Sequence, residues 1–476
     1  MQKLTKIVAT ISDRRCEVDF LQELYNEGMD VVRLNTAHQT HDDTLKIVNN
    51  VRKVSSKIAL LLDTKGPEIR TTKLAEDIDV EAGDIVKVKG AAGQESTRDM
   101  VCVSYDGFVA DVPVGSSILI DDGEIELAVN DKNDDYLICE VLNSGAIEGK
   151  KSVNIPSVHI KLPSLSPKDR DYVQFAIEND LDFIAHSFVR NKEDVLAIQE
   201  LLDVHGSKAK IIAKIENQDG IDNIDEILDH AYGIMIARGD LAIEVPREKI
   251  PFIQKQLIKK CAVRRKPVIV ATQMLHSMIK NPRPTRAEVT DIATAIFDGT
   301  DAIMLSGETA YGSYPVESVK TMTRIAGEVE KDKEKFLDSG YTVLTDDVSA
   351  YLSKAAVKAS VRMNAKAIIA DTTTGRIVRN LTGYRGRVPI FAMTYIERTA
   401  RELALSYGVY SHCIDLHKST DDFLTKSATI LVDHKHITKE DKIVFLAGSF
   451  GKSRGANFVQ VLEANEAMDL QKWERN

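Results

Sequence analysis

Residues 210–217 read KIIAKIEN, 233–240 GIMIARGD, 267–274 PVIVATQM and 301–309 DAIMLSGET. Each is a short run rich in Ile, Val and Met that ends on residues able to do chemistry: Lys214 and Glu216, Asp240, Thr272, then Ser306 with Glu308. Each run is too short for a free-standing helix and is followed by an amphipathic stretch of helical length, the mark of βα repetition. In an α/β barrel the carboxyl ends of the strands share one mouth, so these side chains should converge although the sequence separates them widely.

The same rhythm opens the chain, with strands predicted at Lys6 to Thr10, Asp30 to Asn35 and Ile58 to Asp63, and helices at Val18 to Glu27 and Asp43 to Val54. It then stops. From about Thr72 to Leu162, short alternating runs such as SSILIDDGEIELAV are separated by Gly, Asp and Asn turns, which predicts an inserted all-β unit. At Ser166, with Pro167 and Asp169 behind it as a helix start, the βα rhythm resumes. Three strands before the insertion and five after it (FIAHS at 183–187 and the four runs above) make the eight of a (β/α)8 TIM barrel. A charged, weakly patterned stretch follows Asp332. Beyond it the apolar strands at 365–371, 389–394 and 441–447 alternate with helices, as in an open doubly wound sheet. The expected domains are a barrel (1–71 and 163–340), a β-barrel-like lid (72–162) and a C-terminal α/β regulatory domain (341–476).

Composition narrows the function. Lys and Arg total 62 against 72 Asp and Glu, a formal net charge of −10; binding of nucleic acid through bulk charge is therefore not expected. The five cysteines are scattered without a CxxC, so neither a disulfide framework nor a zinc site is read from their spacing. No apolar signal core or membrane-length run occurs, and a cytoplasmic location without membrane partners is expected.

At the predicted mouth, Glu216 and Asp240 could share a hard divalent cation such as Mg²⁺, or each could merely cap the helix that follows. Lys214 could neutralise charge on a transferring group or an enolate, or form a Schiff base as in aldolases. Arg33 and Arg70 border the same mouth, where guanidinium forks bind phosphates well; the bland alternative is a rim salt bridge. Lys150 and Lys151, at the far end of the insertion, could be carried by a hinged lid onto a second phosphate-bearing substrate, or lie in a solvated turn. Two anionic substrates are implied. In the last domain, TTTGR (372–376) and GSFGKSRG (448–455) could cradle a phosphate, although Leu446 breaks the P-loop pattern.

The ordered motifs TKIVATI, VVRLN, DTKGPEIRT, KIIAKIEN, GIMIARGDL, PVIVATQML, NPRPTRAE and DAIMLSGETA, spanning residues 5–310, resemble those of the pyruvate kinase family. That resemblance implies transfer of the phosphoryl group of phosphoenolpyruvate to ADP, giving pyruvate and ATP. It implies that Arg33 and Lys214 contact the phosphate, and that Glu216 and Asp240 hold Mg²⁺ (or Mn²⁺). Backbone at Gly239 and the hydroxyl of Thr272 would position the carboxylate beside Asp240, Thr272 lying near the face where the enolate is protonated. Ser306 would organise the proton-donating water. Arg70, His38 and Lys151 correspond to nucleotide-phosphate contacts, with Asn35 alongside. The K⁺ site would comprise Asn35, Asp63 and Thr64, with Ala37 where a serine is usual; retention of Glu68 implies K⁺ activation. Thr372, Thr374, Gly375, Arg376 and Lys452 fall where a phosphorylated effector binds, with Ile377 replacing a hydroxyl residue. A homotetramer is usual in that family. Other departures are SDRRC after the first strand, and His186 and His276, both expected to be packing or hydrogen-bonding variations. A metal-dependent aldolase or lyase would use the carboxylate pair but have no use for the lid or Arg70. A ligand-binding homologue without turnover would not need the full set of Lys214, Glu216, Asp240, Arg33 and Thr272.

Overall fold

A computed structural model describes residues 3–37, 39–156, 158–331, 347–448 and 455–473. Eight parallel strands close a barrel: β1 (Lys6–Ile11), β2 (Val31–Asn35), β3 (Ala59–Asp63), β4 (Phe183–His186), β5 (Lys210–Ile215), β6 (Gly233–Ala237), β7 (Val268–Ala271) and β8 (Ala302–Leu305). β3 pairs with β4 across the insertion, and β8 closes on β1 with Ala302 opposite Lys6. The three-plus-five count is thus observed.

Side chains alternate between two buried layers, as period-2 strands covered on both faces require. Val8, Val31, Leu61, Ala185, Ile212 and Met235 fill the barrel interior. Their neighbours Ile7, Val32, Leu62, Ile184, Ile211 and Ile234 pack outward against the helices. Helix Pro167–Glu178 starts as expected, with the Ser166 side chain accepting from the Asp169 amide in a reciprocal capping box. Thr40 and Thr285 cap helices His41–Val54 and Arg286–Asp298 in the same way.

Among the described residues the insertion comprises a seven-stranded sheet, a two-stranded one formed by Ile78–Val80 and Gly145–Ile147, and one short helix, Phe108–Asp111. Its edges meet again through a bridge between Thr71 and Val103 and a bond from the Ser104 amide to the Arg70 carbonyl (2.8 Å), so it curls into a barrel-like shape. The first strand, Ile69–Arg70, lies ahead of the expected boundary at 72; Arg70 is therefore carried on the lid's own edge.

After helix Val348–Arg362 the last domain forms a five-stranded sheet from β9 (Ala367–Asp371), β10 (Ile390–Thr394), β11 (Val409–Cys413), β12 (Lys442–Ala447) and β13 (Phe458–Glu463), in the order β11-β10-β9-β12-β13. Apolar clusters cover both faces, so it is doubly wound. β13 runs antiparallel to β12. The expected boundary at 340/341 lies outside the described residues. This domain plugs the barrel's amino-terminal end: Leu405 joins the barrel-interior cluster, Arg385 pairs with Asp301, and Arg401 pairs with Asp182.

Candidate active site

Following the inward parity to the strand ends and just beyond them selects the polar residues of the mouth. Val31 leads to Arg33 and Asn35, Leu61 to Asp63, Ala185 to Ser187, and Ile212 to Lys214 and Glu216. Lys214 Nζ lies 2.7 Å from Ser187 Oγ, 3.0 Å from Asp63 Oδ1 and 3.0 Å from Glu216 Oε1. Arg33 donates through Nε to Asp63 Oδ2 (2.6 Å) and through Nη1 to Thr10 Oγ1 (3.1 Å). Cations and carboxylates alternate from Arg33 through Asp63 and Lys214 to Glu216. Arg33 does make the salt bridge of its bland reading, yet it also lines a cavity of about 640 Å³ with Asn35 and Ser306.

Burial opposes the charge on Lys214, but Asp63, Glu216 and Asp240 more than offset it and raise its pKa. Such a lysine stays protonated at neutral pH and is a poor Schiff-base nucleophile, which disfavours the aldolase reading. Burial raises the Asp63 carboxyl, but Arg33 and Lys214 outweigh this and leave its pKa low.

Glu216 is almost fully buried, and its Oε2 accepts the Phe188 amide at 2.7 Å. Burial first, and then repulsion from Asp240, push its carboxyl up to about 7 against the pull of Lys214. Asp240 is also raised, by burial and by the lid carboxylate of Asp122. The capping alternative fails for Glu216 because Asn217 caps the next helix, its side chain accepting from the Gly220 amide (2.7 Å). A buried carboxylate and a half-buried one that repel one another, with oxygen donors throughout, fit a hard divalent cation such as Mg²⁺. A Mg²⁺ ion bound there would have to displace the Glu216 proton. Its apparent affinity should therefore fall about tenfold per pH unit below about pH 7 and level off above it. Mg²⁺ titrations in buffers of different ionisation enthalpy measure that proton release; an affinity flat from pH 5.5 to 8, values chosen to bracket that carboxyl, would contradict it.

The Gly239 amide donates to Thr272 Oγ1 at 2.7 Å, joining β6 to β7 at the mouth. Thr272 and Gln273 hold φ of 69° and 55°, an unfavourable backbone for a β-branched residue that aims the threonine hydroxyl at Gly239. The Ser306 hydroxyl makes no hydrogen bond to a described residue and faces the cavity shared with Arg33. Glu308 has a structural job instead, since its carboxylate accepts the Leu275 and Ser306 amides at 3.0 and 2.8 Å.

On the lid side, Arg70 pairs with Glu68 (2.8 Å) and donates to the Lys150 carbonyl (2.6 Å). Lys151 is held by Asp121 (2.6 Å) and Glu148 (3.1 Å) and must exchange them to meet a phosphate. Hydrogen bonding to Asp121 and Glu148 raises its pKa. A cavity of about 150 Å³ separates lid from barrel, with Asp122 facing Asp240 across it. Asn35 and Asp63 are register partners on β2 and β3, while the Thr64 carbonyl accepts the Ser187 hydroxyl at 2.6 Å. His38 and Lys452 lie outside the described residues.

Thr372 Oγ1 accepts the Gly375 amide (2.9 Å), Gly375 has φ 75°, and Arg376 pairs with Asp347 (2.8 Å); Thr374 is exposed. Ile377 packs into that domain's core. His186 is fully buried without a hydrogen-bond partner, and burial lowers its pKa to about 4, as a packing variation should. His276 differs: it is exposed at the start of a short helix and makes no hydrogen bond to a described residue. Ser187 and Phe188 were not anticipated, although the parity through Ala185 points to the former.

Buried cations alternating with hard oxygen donors under a second domain suit charge neutralisation on a migrating phosphoryl group, and the chain is a barrel phosphotransferase. Residues 2–319 match the pyruvate kinase barrel domain and residues 351–462 the pyruvate kinase alpha/beta domain. The chain is 48% identical to a pyruvate kinase of Borreliella burgdorferi over 98% of its length and 99% of the relative's. It is 44% identical to one from Bacillus licheniformis, covering 96% of this chain and 80% of that protein. A crystal structure of a pyruvate kinase from Cryptosporidium parvum superposes with a TM-score of 0.92 at 35% identity, covering 97% of this chain and 96% of the other. The chain belongs to the pyruvate kinase family. No helix among the described residues is long and apolar enough to cross a membrane.

Proposed function

We propose that this chain transfers the phosphoryl group of phosphoenolpyruvate to ADP and then protonates the enolate, with the residues of the barrel mouth in separate roles. The observation that supports this most is the Lys214 ammonium, held between Asp63 and Glu216 at 3.0 Å from each. Phosphoryl transfer asks for alignment and charge neutralisation rather than covalent chemistry from the protein. Glu216 and Asp240 would hold Mg²⁺ (or Mn²⁺), which when bound supplies Lewis-acid charge to substrate oxygens. Lys214 neutralises charge on the migrating group and on the enolate left behind, and Arg33 orients the phosphate through the N–H groups that Asp63 and Thr10 leave free. Gly239 and Thr272 position the carboxylate, with the Thr272 hydroxyl toward the face to be protonated and Ser306 ordering water nearby. Arg70, Lys151, His38 and Asn35 take the nucleotide phosphates as the lid closes.

Asn35, Asp63 and Thr64 would hold K⁺ without the hydroxyl that Ala37 lacks, so K⁺ activation with weakened affinity is expected. ADP-dependent pyruvate formation with Mg²⁺ should rise when K⁺ replaces an organic cation too large for the site. No activity from the folded chain would defeat the proposal, and equal rates in the two salts would remove K⁺ from it. A homotetramer and a phosphorylated effector at Thr372, Thr374, Gly375, Arg376 and Lys452 complete the reading. Sedimentation and a phosphoenolpyruvate saturation curve against sugar phosphates and nucleotides test these two; a monomer, or an unmoved curve, would contradict them.

A further inference from the structure

We infer that His412, His434 and His436 form a binding site for one divalent transition-metal ion of the Zn²⁺ class, in the crevice between the last domain and the barrel's amino-terminal end. One ring nitrogen from each lies within 4.8 Å of the other two. None of the three rings makes a hydrogen bond to a described residue, so their lone pairs have no competing partner.

The backbone gathers them from two elements. His412 stands on β11, whose neighbour Val409 accepts the Lys6 ammonium of β1 through its carbonyl. His434 ends helix Thr420–Asp433, and Lys435, with φ 58°, turns the chain so that His436 comes back toward β11. The amides of Lys435 and His436 bond back to Val432 and Leu431 at 2.9 Å each and fix that turn. His412 stacks on His434 with centroids 5.4 Å apart, and Phe391 packs against His412 and His436.

Three imidazoles and no carboxylate favour Zn²⁺, Cu²⁺, Ni²⁺ or Co²⁺ over Mg²⁺. Nitrogens bound to one such ion stand roughly 3.3 Å apart, from bonds of about 2.0–2.1 Å in a tetrahedral site. The exposed His434 and the half-buried His436 must rotate inward to reach that spacing. A cavity of about 420 Å³ lined by Lys57, His412 and His436 leaves room for water in a fourth position. The Lys57 ammonium opposes a bare cation and favours an anionic fourth ligand such as hydroxide.

The test uses the full chain with excess Mg²⁺ to occupy the mouth, and measures Zn²⁺ by equilibrium dialysis and Co²⁺ by its visible ligand-field absorption. One Zn²⁺ per chain is expected, weakened at least about tenfold in His434→Ala and lost in the His434→Ala/His436→Ala double variant. Both positions are solvent-accessible, and retained kinase activity reports folding. Wild-type protein that binds no more Zn²⁺ than the double variant, or a Co²⁺ spectrum identical in the two, would overturn the inference.

Discussion

Lys214→Met should lower kcat for pyruvate formation by about 10²- to 10³-fold, the size of effect seen when one preorganised charge is removed from a dry site. The ammonium sits among Asp63, Glu216 and Ser187, with Asp240 contributing to its raised pKa, so water cannot replace it at no cost. Its charge matters most where negative charge accumulates, on the migrating phosphoryl group and the enolate. The loss should therefore fall on kcat, while KM for phosphoenolpyruvate moves less. Removing the ammonium also strips Glu216 of the group that restrains its carboxyl, pushing that pKa further above about 7. The variant should accordingly show an Mg²⁺ dependence displaced to higher pH. A folded Lys214→Met enzyme with kcat within about threefold of the parent would refute the assigned role, a gap far below the expected effect. Lys214→Arg should not rescue it, because a planar fork cannot meet Asp63, Glu216 and Ser187 as a point charge does.

The barrel was legible because its inner and outer layers are both buried, which leaves β-branched runs whose parity continues into the site. Ile212, Lys214 and Glu216 differ only in how far they lie along one inward row. What escaped the sequence depends on other elements. β11 reads VYSHC, and β13 reads FVQVLE with Gln460 and Glu463 interrupting its apolar residues, so neither carries the unbroken apolar run that marked β9, β10 and β12. The left-handed backbone at Thr272 cannot be read from a β-branched residue, which would ordinarily argue against it. The partners of Glu216 were hidden for the same reason: the Phe188 amide reaches it only through a left-handed turn with φ 54°, and Asp122 approaches Asp240 only because the lid folds over the mouth. Nothing in the sequence links the histidines at 412, 434 and 436; a helix end turns two of them toward β11.

Arg385→Ala should destabilise the chain by about 3–5 kcal/mol while leaving kcat near that of the parent wherever the protein is folded. Arg385 pairs with Asp301 through both terminal nitrogens, at 2.9 and 2.6 Å, and both side chains are almost fully buried. Its Nε donates to the Gly299 carbonyl at 2.8 Å, so the fork ties the last domain to the turn that feeds β8. Truncation leaves the Asp301 carboxylate buried with, among the described residues, only the Tyr407 and Val268 amides, at 3.0 and 3.2 Å, to offset its charge. Substituting leucine for both partners should not recover the loss, since the aspartate's removal strands those two amides. Activity should survive because Asp301 and Ser306 occupy opposite ends of β8, and the change lies at the end away from the mouth. Thermal and urea unfolding monitored by activity and by far-ultraviolet circular dichroism would measure the cost. A shift smaller than about 1 kcal/mol would mean that the docked domain relaxes around the gap. A kcat that falls in proportion to stability would mean that the last domain shapes the mouth through β8 rather than merely bracing the barrel from below.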